Sequence, residues 1–206
     1  MNDPFTLENP RGTTRKRSLL IGINYVGQNP GALKGFAERG AQRRPRGGVP
    51  RRDSWDRRCH NDVEMMRRFI ATKGFKSDSS SQRILLDDGR HTKPNYQAIL
   101  DGFAWLTDGA ASGDSLFMHY SGHGGSVKDK NSDEKDGKDE TLIPVDYKTA
   151  GQITDDVILA ALVLDLPEGC MLTVVIDACH SGTVLDLPYK FVADSTSMQV
   201  ARHENR

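Results

Sequence analysis

Two segments of this 206-residue chain place a residue capable of covalent chemistry directly after a short apolar run. His123 stands between glycines at the end of the run that starts at Ser115, and Cys179 closely follows the run 172–176. The thiolate is the nucleophilic form of cysteine, and imidazole is the side chain that most often accepts its proton. This pattern predicts nucleophilic catalysis, with Cys179 as nucleophile and His123 as base.

Each of the two residues also has a plainer interpretation when it is taken alone. A cysteine after a strand is commonly a small buried apolar group, and a histidine beside glycine is commonly a turn residue. Each residue follows an apolar run of the same kind, which is the placement that catalysis needs. Because both residues have this placement, we favour the functional interpretation.

The elements that must position these residues are predicted from hydrophobic periodicity. Apolar runs predict strands at 18–24, 83–87, 115–120 and 172–176, and helical spacing predicts helices at 61–70, 94–106 and 153–164. Strands that alternate with helices and are apolar on both faces indicate an α/β fold with a mostly parallel, doubly covered sheet. Ligands bind at the carboxyl ends of strands in such sheets, so we expect His123 and Cys179 to meet there.

Composition excludes several classes of protein. Apolar residues make up 36% and charged residues 27% of the chain, which is typical of a globular domain and not of a collagen or coiled coil. No apolar run reaches the roughly 18 residues of a membrane span, and the N-terminus carries no secretory apolar region. Three cysteines at irregular spacing do not form a disulfide framework. We therefore expect a cytoplasmic protein without a membrane partner.

Charge is distributed unevenly although the net charge is zero. Residues 1–58 hold 13 Lys and Arg against 5 Asp and Glu, and the remainder is acidic, which suits a cationic ligand. Eight arginines lie within 36–58, which we interpret as a surface loop or disordered insertion, or as an artefact of the gene model. This loop would favour phosphate, but Trp55 and Phe36 are its only aromatic residues and no recognised binding fold surrounds it, so we expect no nucleic-acid partner.

The motifs around the two reactive residues resemble those of the metacaspases, the caspase-like cysteine peptidases of plants, fungi and protists. The matching segments are HYSGHGG around His123, DACHSG around Cys179, LLIGINYVG in the first strand, CHNDV from Cys59, DETLIPVD from Asp139, and ITDD ending at Asp156. Their order resembles the large (p20) region of the type I branch. The resemblance implies a thiol protease with a part in programmed cell death.

The resemblance also implies a fold and its boundaries. We expect a caspase-like three-layer sandwich over residues 17–190, with the Arg-rich insertion at 36–58. A flexible tail, 1–16, would precede this domain, and an irregular tail, 191–206, would follow it. In the family a small (p10) region completes the sheet, and we expect that part to be missing here.

The family pattern assigns roles to individual residues. Cys179 would attack the scissile carbonyl, His123 would accept and return the proton, and backbone N–H groups near Gly124 and Cys179 would bind the oxyanion. An acidic S1 pocket for Arg or Lys would be formed by Cys59, Asp62, Ser121 and Asp177. Without the family pattern, Asp62 is an ordinary first-turn residue of a helix and Asp177 a strand-end carboxylate.

Calcium is the cofactor that the resemblance implies. The matching aspartates are Asp139, Asp155, Asp156 and Asp186, and irregular carboxylate clusters suit this hard cation. Alternatively, Asp155 and Asp156 only supply negative charge at the start of a helix. The acidic segment 129–140 resembles a calcium loop but carries Glu134 where the turn needs Gly, so we interpret it as a solvated loop.

Two function classes follow. The first is a calcium-activated cysteine endopeptidase that cleaves protein substrates after Arg or Lys. The second is a catalytically weak or inactive p20-only interaction module that needs a p10-like small subunit as partner. The presence of His123 and Cys179 favours the first class, and the missing small region favours the second.

Overall fold

The computed structural model describes residues 13–28, 58–128, 138–178, 189–193 and 198–202. The elements of the first half are β1 Lys16–Gly22, α1 Arg58–Ala71, β2 Gln82–Leu86, α2 Tyr96–Thr107 and β3 Ser115–Ser121. Those of the second half are β4 Gly124–Lys128, β5 Lys138–Leu142, α3 Tyr147–Ala150, β6 Ile153–Thr154, α4 Asp155–Leu159 with a π-helical turn Ala160–Leu164, β7 Met171–Asp177, β8 Tyr189–Ala193 and β9 Met198–Arg202.

The central sheet is parallel throughout and has the strand order β2-β1-β3-β7. The carboxyl ends of β1, β3 and β7 are aligned, because Gly22 lies opposite Ser121 and Ser121 lies opposite Asp177. The predicted parallel sheet is therefore confirmed, and the segments that follow β1, β3 and β7 leave it at a common edge.

Helices cover both faces of this sheet, as a three-layer sandwich requires. Alternate residues of β1 and β3 point to opposite sides, so Leu20 and Phe117 pack with Val63 of α1, whereas Leu19 and Met118 join the larger cluster against α2 and α4. The division of one strand between two apolar clusters explains why the runs in the sequence are nearly continuous rather than alternating.

Two predicted helices have different starts in the structure. Helix α1 begins at Arg58, three residues before the predicted position, and so includes Cys59. Helix α2 begins after Pro94, not at it, because Asn95 caps the helix through a 2.8 Å hydrogen bond that its side chain accepts from the Ala98 amide.

The helix predicted over 153–164 is wrong in its first turn. Ile153 and Thr154 form strand β6, which pairs with Leu142 and Thr141 of β5 in an antiparallel sheet of order β4-β5-β6. Helix α4 starts only at Asp155. The apolar spacing of the segment suits both structures, and pairing with β5 decides between them.

The segment predicted as an irregular tail contains an antiparallel hairpin, β8–β9. Its strands Tyr189–Ala193 and Met198–Arg202 are short and contain β-favouring residues. The N-terminal tail up to residue 12, the Arg-rich insertion except Arg58, and most of the calcium-loop-like segment lie outside the described residues. In the part of the chain that the structure describes, no helix has the length and apolar character needed to cross a bilayer.

Candidate active site

The turn after β3 holds His123 at the carboxyl edge of the sheet. Gly122 precedes it and donates its amide to the Asp177 carbonyl of β7 at 3.3 Å. A Cβ atom at Gly122 would lie 2.7 Å from the Tyr120 hydroxyl, so only glycine permits this turn without displacement. The HYSGHGG motif therefore has a local physical reason, because the turn folds back onto its own tyrosine.

Two buried tyrosines fix the backbone of His123. The Tyr25 hydroxyl accepts the His123 amide at 3.1 Å and donates to the Ile143 carbonyl at 2.7 Å. The Tyr120 hydroxyl donates to the His123 carbonyl at 2.8 Å. Burial raises the pKa of both tyrosine hydroxyls far above the ordinary value, so both remain protonated donors.

The His123 imidazole lies 4.9 Å from the Tyr25 ring, measured between ring centroids. Burial lowers its pKa below the ordinary value of 6.5, which leaves it neutral and able to accept a proton near pH 7. Gly124 follows as the first residue of β4, buried and paired with Leu142. Cys179, the predicted nucleophile, lies outside the described residues, so the pairing of thiol and imidazole stays a prediction.

The four residues predicted for an S1 pocket come from three neighbouring elements. Ser121, at the end of β3, donates its hydroxyl to the Asp62 carboxylate of α1 at 2.9 Å. Asp177, the last residue of β7, lies opposite Ser121. Burial raises the pKa of the Cys59 thiol, and the charges of Asp62 and Asp177 raise it further, so this thiol stays neutral.

Gly22 explains how α1 comes so close to the sheet edge. A Cβ atom there would lie 2.8 Å from the Cys59 carbonyl and 2.9 Å from side-chain atoms of Val63 and Leu86. The glycine of the LLIGIN motif thus lets the N-terminal part of α1, which carries Cys59 and Asp62, sit against the end of β1.

Sequence reasoning did not identify a supporting network beside this pocket. The Asn24 side chain accepts the Cys59 amide at 3.1 Å, and the Asp87 carboxylate accepts the amides of Asn24 at 2.9 Å and Val26 at 2.8 Å. His60 Nε2 lies 2.6 Å from the same carboxylate. Burial opposes ionisation of Asp87, but these hydrogen bonds outweigh it and lower its pKa. The signal in the sequence that could have identified Asp87 is its position directly after the apolar run of β2.

Comparison with known proteins assigns the family. Residues 54–188 match the family model described as metacaspase, peptidase C14 domain. The chain belongs to the metacaspase family. Metacaspases are cysteine-type peptidases, that is, hydrolases of peptide bonds, so the family agrees with the presence of His123 and Cys179 in the sequence.

Individual metacaspases show how much of the family's length is present. The chain is 39% identical to Metacaspase III c of Phaeodactylum tricornutum over its full length, and 44% identical to Metacaspase-1 of Mycosarcoma maydis over 86% of it. It covers 54% of the first protein and 38% of the second, so it spans about half or less of these relatives. The crystal structure of a Geobacter sulfurreducens protein matches 85% of the chain with a TM-score of 0.54 and 28% identity, and the chain covers 56% of it.

Three of the four aspartates that the metacaspase pattern assigns to calcium form a cluster. One carboxylate oxygen each from Asp139, Asp155 and Asp156 lies within 4.8 Å of the others. Asp155 accepts the Glu140 amide at 2.7 Å and its side chain is almost fully buried. Burial, with added repulsion from Asp139 and Asp156, raises the pKa of Asp155 to about 6. Asp186 lies outside the described residues.

The donor set of this cluster fits a hard cation. Carboxylate oxygens at unequal spacing are the ligands that Ca²⁺ accepts, and repulsion among buried carboxylates is relieved when a cation binds. Asp155 and Asp156 also stand in the first turn of α4, where negative charge favours the helix start, so both interpretations of these two residues fit the structure.

A separate cavity of about 850 Å³ is lined by residues of the first turn of α1 and of the segment after β2. Its walls include His60 and Asp87 and contain none of the predicted catalytic or S1 residues. The candidate site is therefore located by the residues at the ends of β3 and β7, and not by the volume of this cavity.

Proposed function

We propose that this chain forms the catalytic domain of a cysteine endopeptidase that cleaves protein substrates after Arg or Lys. The observation that carries the proposal is the arrangement at the carboxyl edge of the sheet. There the hydrogen-bonded pair Asp62–Ser121 and the facing residue Asp177 stand next to the turn that carries the half-buried His123.

The proposed reaction uses this chain's own side chains. His123 accepts the proton of the Cys179 thiol, and the sulfur attacks the scissile carbonyl carbon. Backbone N–H groups near Gly124 and Cys179 hold the oxyanion that forms. When the C–N bond breaks, His123 gives the proton to the departing amine, and water then hydrolyses the thioester and regenerates the thiol. The neutral state of His123 supports its role as the base.

The preference for Arg or Lys follows from charge. Two carboxylates on facing elements can receive a guanidinium through charge-assisted hydrogen bonds, and the Ser121 hydroxyl orients that of Asp62. The neutral thiol of Cys59 would line one wall without adding charge. An acidic residue at P1 would meet two like charges here, so caspase-type cleavage after Asp is disfavoured.

Calcium is proposed as the activating cofactor. Asp139, Asp155 and Asp156, with Asp186, would hold it, and the bound ion would supply positive charge that joins β5 to the start of α4. Strand β5 also pairs with β4, where Gly124 opposes Leu142. Calcium bound to these aspartates would therefore order β5 and, through its pairing with β4, the backbone of Gly124 beside the oxyanion.

A p10-like small subunit is the proposed protein partner. Strand β7 pairs with β3 on one side, and among the described residues no strand pairs with its other side. Its apolar residues Leu172, Val174 and Ile176 are only partly buried, and Met171 is exposed. A strand added at this edge would complete their burial and extend the sheet.

Peptide cleavage tests this function directly. Fluorogenic peptides that end in Arg, Lys or Asp are incubated with the full chain in calcium or in chelator, alongside the Cys179→Ala variant. We expect cleavage after Arg and Lys, dependence on calcium, and none by the variant. Preferential cleavage after Asp would contradict the acidic pocket. Absence of cleavage with every peptide would favour the interaction module.

A further inference from the structure

A second histidine of β3 lies beneath the proposed pocket. His119 precedes Ser121 by two residues and so points to the same face of the sheet, between Leu20 of β1 and Val175 of β7. It is 2% exposed. Unlike His123, it has no part in the proposed proton transfers.

The imidazole of His119 lies in an environment that is energetically unfavourable for a polar ring. Its Nδ1 atom is buried and has no hydrogen-bond partner among the described residues. Its neighbours on this face, Leu20 and Phe117, are apolar, so an apolar residue would fill the position without an unsatisfied polar atom. Packing alone therefore does not explain a histidine here.

The charged groups that act on His119 are those of the pocket. From α1 this is the Asp62 carboxylate and from β7 the Asp177 carboxylate, whereas the residue of β1 that faces His119 is the uncharged Leu20. Burial lowers the pKa of His119 below the ordinary value, and the two carboxylates oppose that shift. The imidazole thus responds to the same two charges that would bind the substrate cation.

We propose that His119 is a positioning residue that sets the charge of the S1 pocket and competes, when protonated, with the Arg or Lys side chain of the substrate. Neutral His119 leaves both carboxylates available to the substrate. Protonated His119 adds a positive charge and an N–H donor beneath them, which weakens binding of a second cation. This inference rests on the proposed function of the pocket.

Linkage between the two cations gives the expected size. If a bound guanidinium lowers the pKa of His119 by about 1, then protonation of His119 weakens binding of the guanidinium by the same factor, roughly tenfold. An uncharged P1 side chain of the same shape, citrulline, should show neither effect.

The first test measures the titration of His119 by NMR in the full chain carrying Cys179→Ala, so that no peptide is consumed. Adding Asp62→Asn or Asp177→Asn should lower the pKa of His119 by about 1, because each removes a carboxylate that favours the protonated form. Glu64→Gln, on the same helix but bound to Arg67 and Arg68, is the matched control and should change nothing. An unchanged pKa in both Asp variants would overturn the proposal.

The second test measures binding of an Arg-ending and a citrulline-ending peptide to the Cys179→Ala chain between pH 5 and pH 8. The affinity for the Arg peptide should fall as the pH drops toward the pKa of His119, by up to about tenfold, and that for the citrulline peptide should stay constant. Equal acid losses for both peptides would refute a role for His119 in charge competition. If neither peptide binds, the S1 proposal fails, while the titration in the first test still decides whether His119 senses the pocket.

Discussion

Two acidic regions of this metacaspase chain differ in how their carboxylates are held. In the pocket, Asp62 and Asp177 stand on separate elements, partly or fully exposed, with the Ser121 hydroxyl bound to Asp62. In the cluster, Asp139, Asp155 and Asp156 bring their oxygens within 4.8 Å of one another, and two of the three are buried. The carboxylates are thus spread over two elements in the pocket and brought close together in the cluster.

The difference indicates which cation each region can accept. Separated carboxylates leave room for a large planar guanidinium that is hydrogen-bonded from two sides. A tight buried cluster repels itself unless a small, hard cation lies among the oxygens. Burial, together with this repulsion, raises the pKa of Asp155. Spacing and burial, rather than the number of aspartates, therefore distinguish the proposed substrate pocket from the proposed metal site.

The largest expected effect comes from removing a charge from the pocket. Asp62→Asn should lower kcat/KM for Arg peptides about 100-fold, because losing one partner of a desolvated charge pair costs on the order of 3 kcal/mol. The steady-state rates are measured with saturating calcium. Glu64→Gln should keep the wild-type rate, and the calcium needed for half activation should be the same in all three proteins. A tenfold change in that calcium requirement in Asp62→Asn would mean that the two regions are not independent.

The next largest effect concerns the stability contributed by the cluster and can be measured without an activity assay. With free calcium at about 100 times its dissociation constant, wild type should gain about 2.7 kcal/mol in free energy of unfolding. Asp155→Asn should lose this gain and, in chelator, should be more stable than wild type, because it removes a buried charge that repels its neighbours. Denaturant unfolding in calcium and in chelator measures both quantities.

The matched control for the cluster is Asp165→Asn, at an exposed position after the π-helical turn. It should respond to calcium as wild type does. An equal calcium gain in Asp155→Asn and wild type would remove the cluster as the calcium site and leave only the pocket as an acidic region with a function.

The central sheet could be predicted from the sequence because its strands are apolar on both faces. Runs such as that around Leu20 must be buried wherever they lie, and intervening helices force parallel pairing. The same rule placed His123 and Asp177 at one edge. The family pattern added Asp62 and Ser121, and the structure brings them to 2.9 Å, a contact between residues 59 positions apart that no local spacing could predict.

The small antiparallel sheet could not be predicted in the same way. Strand β6 has two residues, and its pairing with β5 is a tertiary interaction that overrides a helix-compatible pattern. The support of His123 by Tyr25 and Tyr120 also depends on long-range contacts, since Tyr25 is 98 residues away in the chain. Such hydrogen bonds leave no periodic signal in the sequence.

Gly22→Ala should perturb the pocket and leave the cluster unaffected. The added methyl group would meet the Cys59 carbonyl at 2.8 Å, so the first turn of α1 must move. We expect a loss of about 1–3 kcal/mol in free energy of unfolding together with a raised KM for Arg peptides. Gly102→Ala is the control, because its methyl group meets only the flexible Leu19 side chain at 3.1 Å. Gly102→Ala should leave KM unchanged. A raised KM in Gly102→Ala would mean that general destabilisation explains the raised KM of both glycine variants.

The smallest effect concerns Asp87, which supports the pocket through Asn24 but is not part of it. Asp87→Asn removes a carboxylate bound to two backbone amides and His60, and we expect a loss of about 1–2 kcal/mol near pH 7. Because the folded-state pKa lies below the ordinary 3.8, the stabilisation is complete above that value and disappears as pH falls through the folded-state pKa. Denaturant unfolding should therefore show a larger difference from wild type at pH 7 than near pH 3. Asp101→Asn, on the exposed face of α2, should differ from wild type at neither pH. A difference for Asp87→Asn that is independent of pH would mean that shape, and not charge, is what this residue contributes to the pocket.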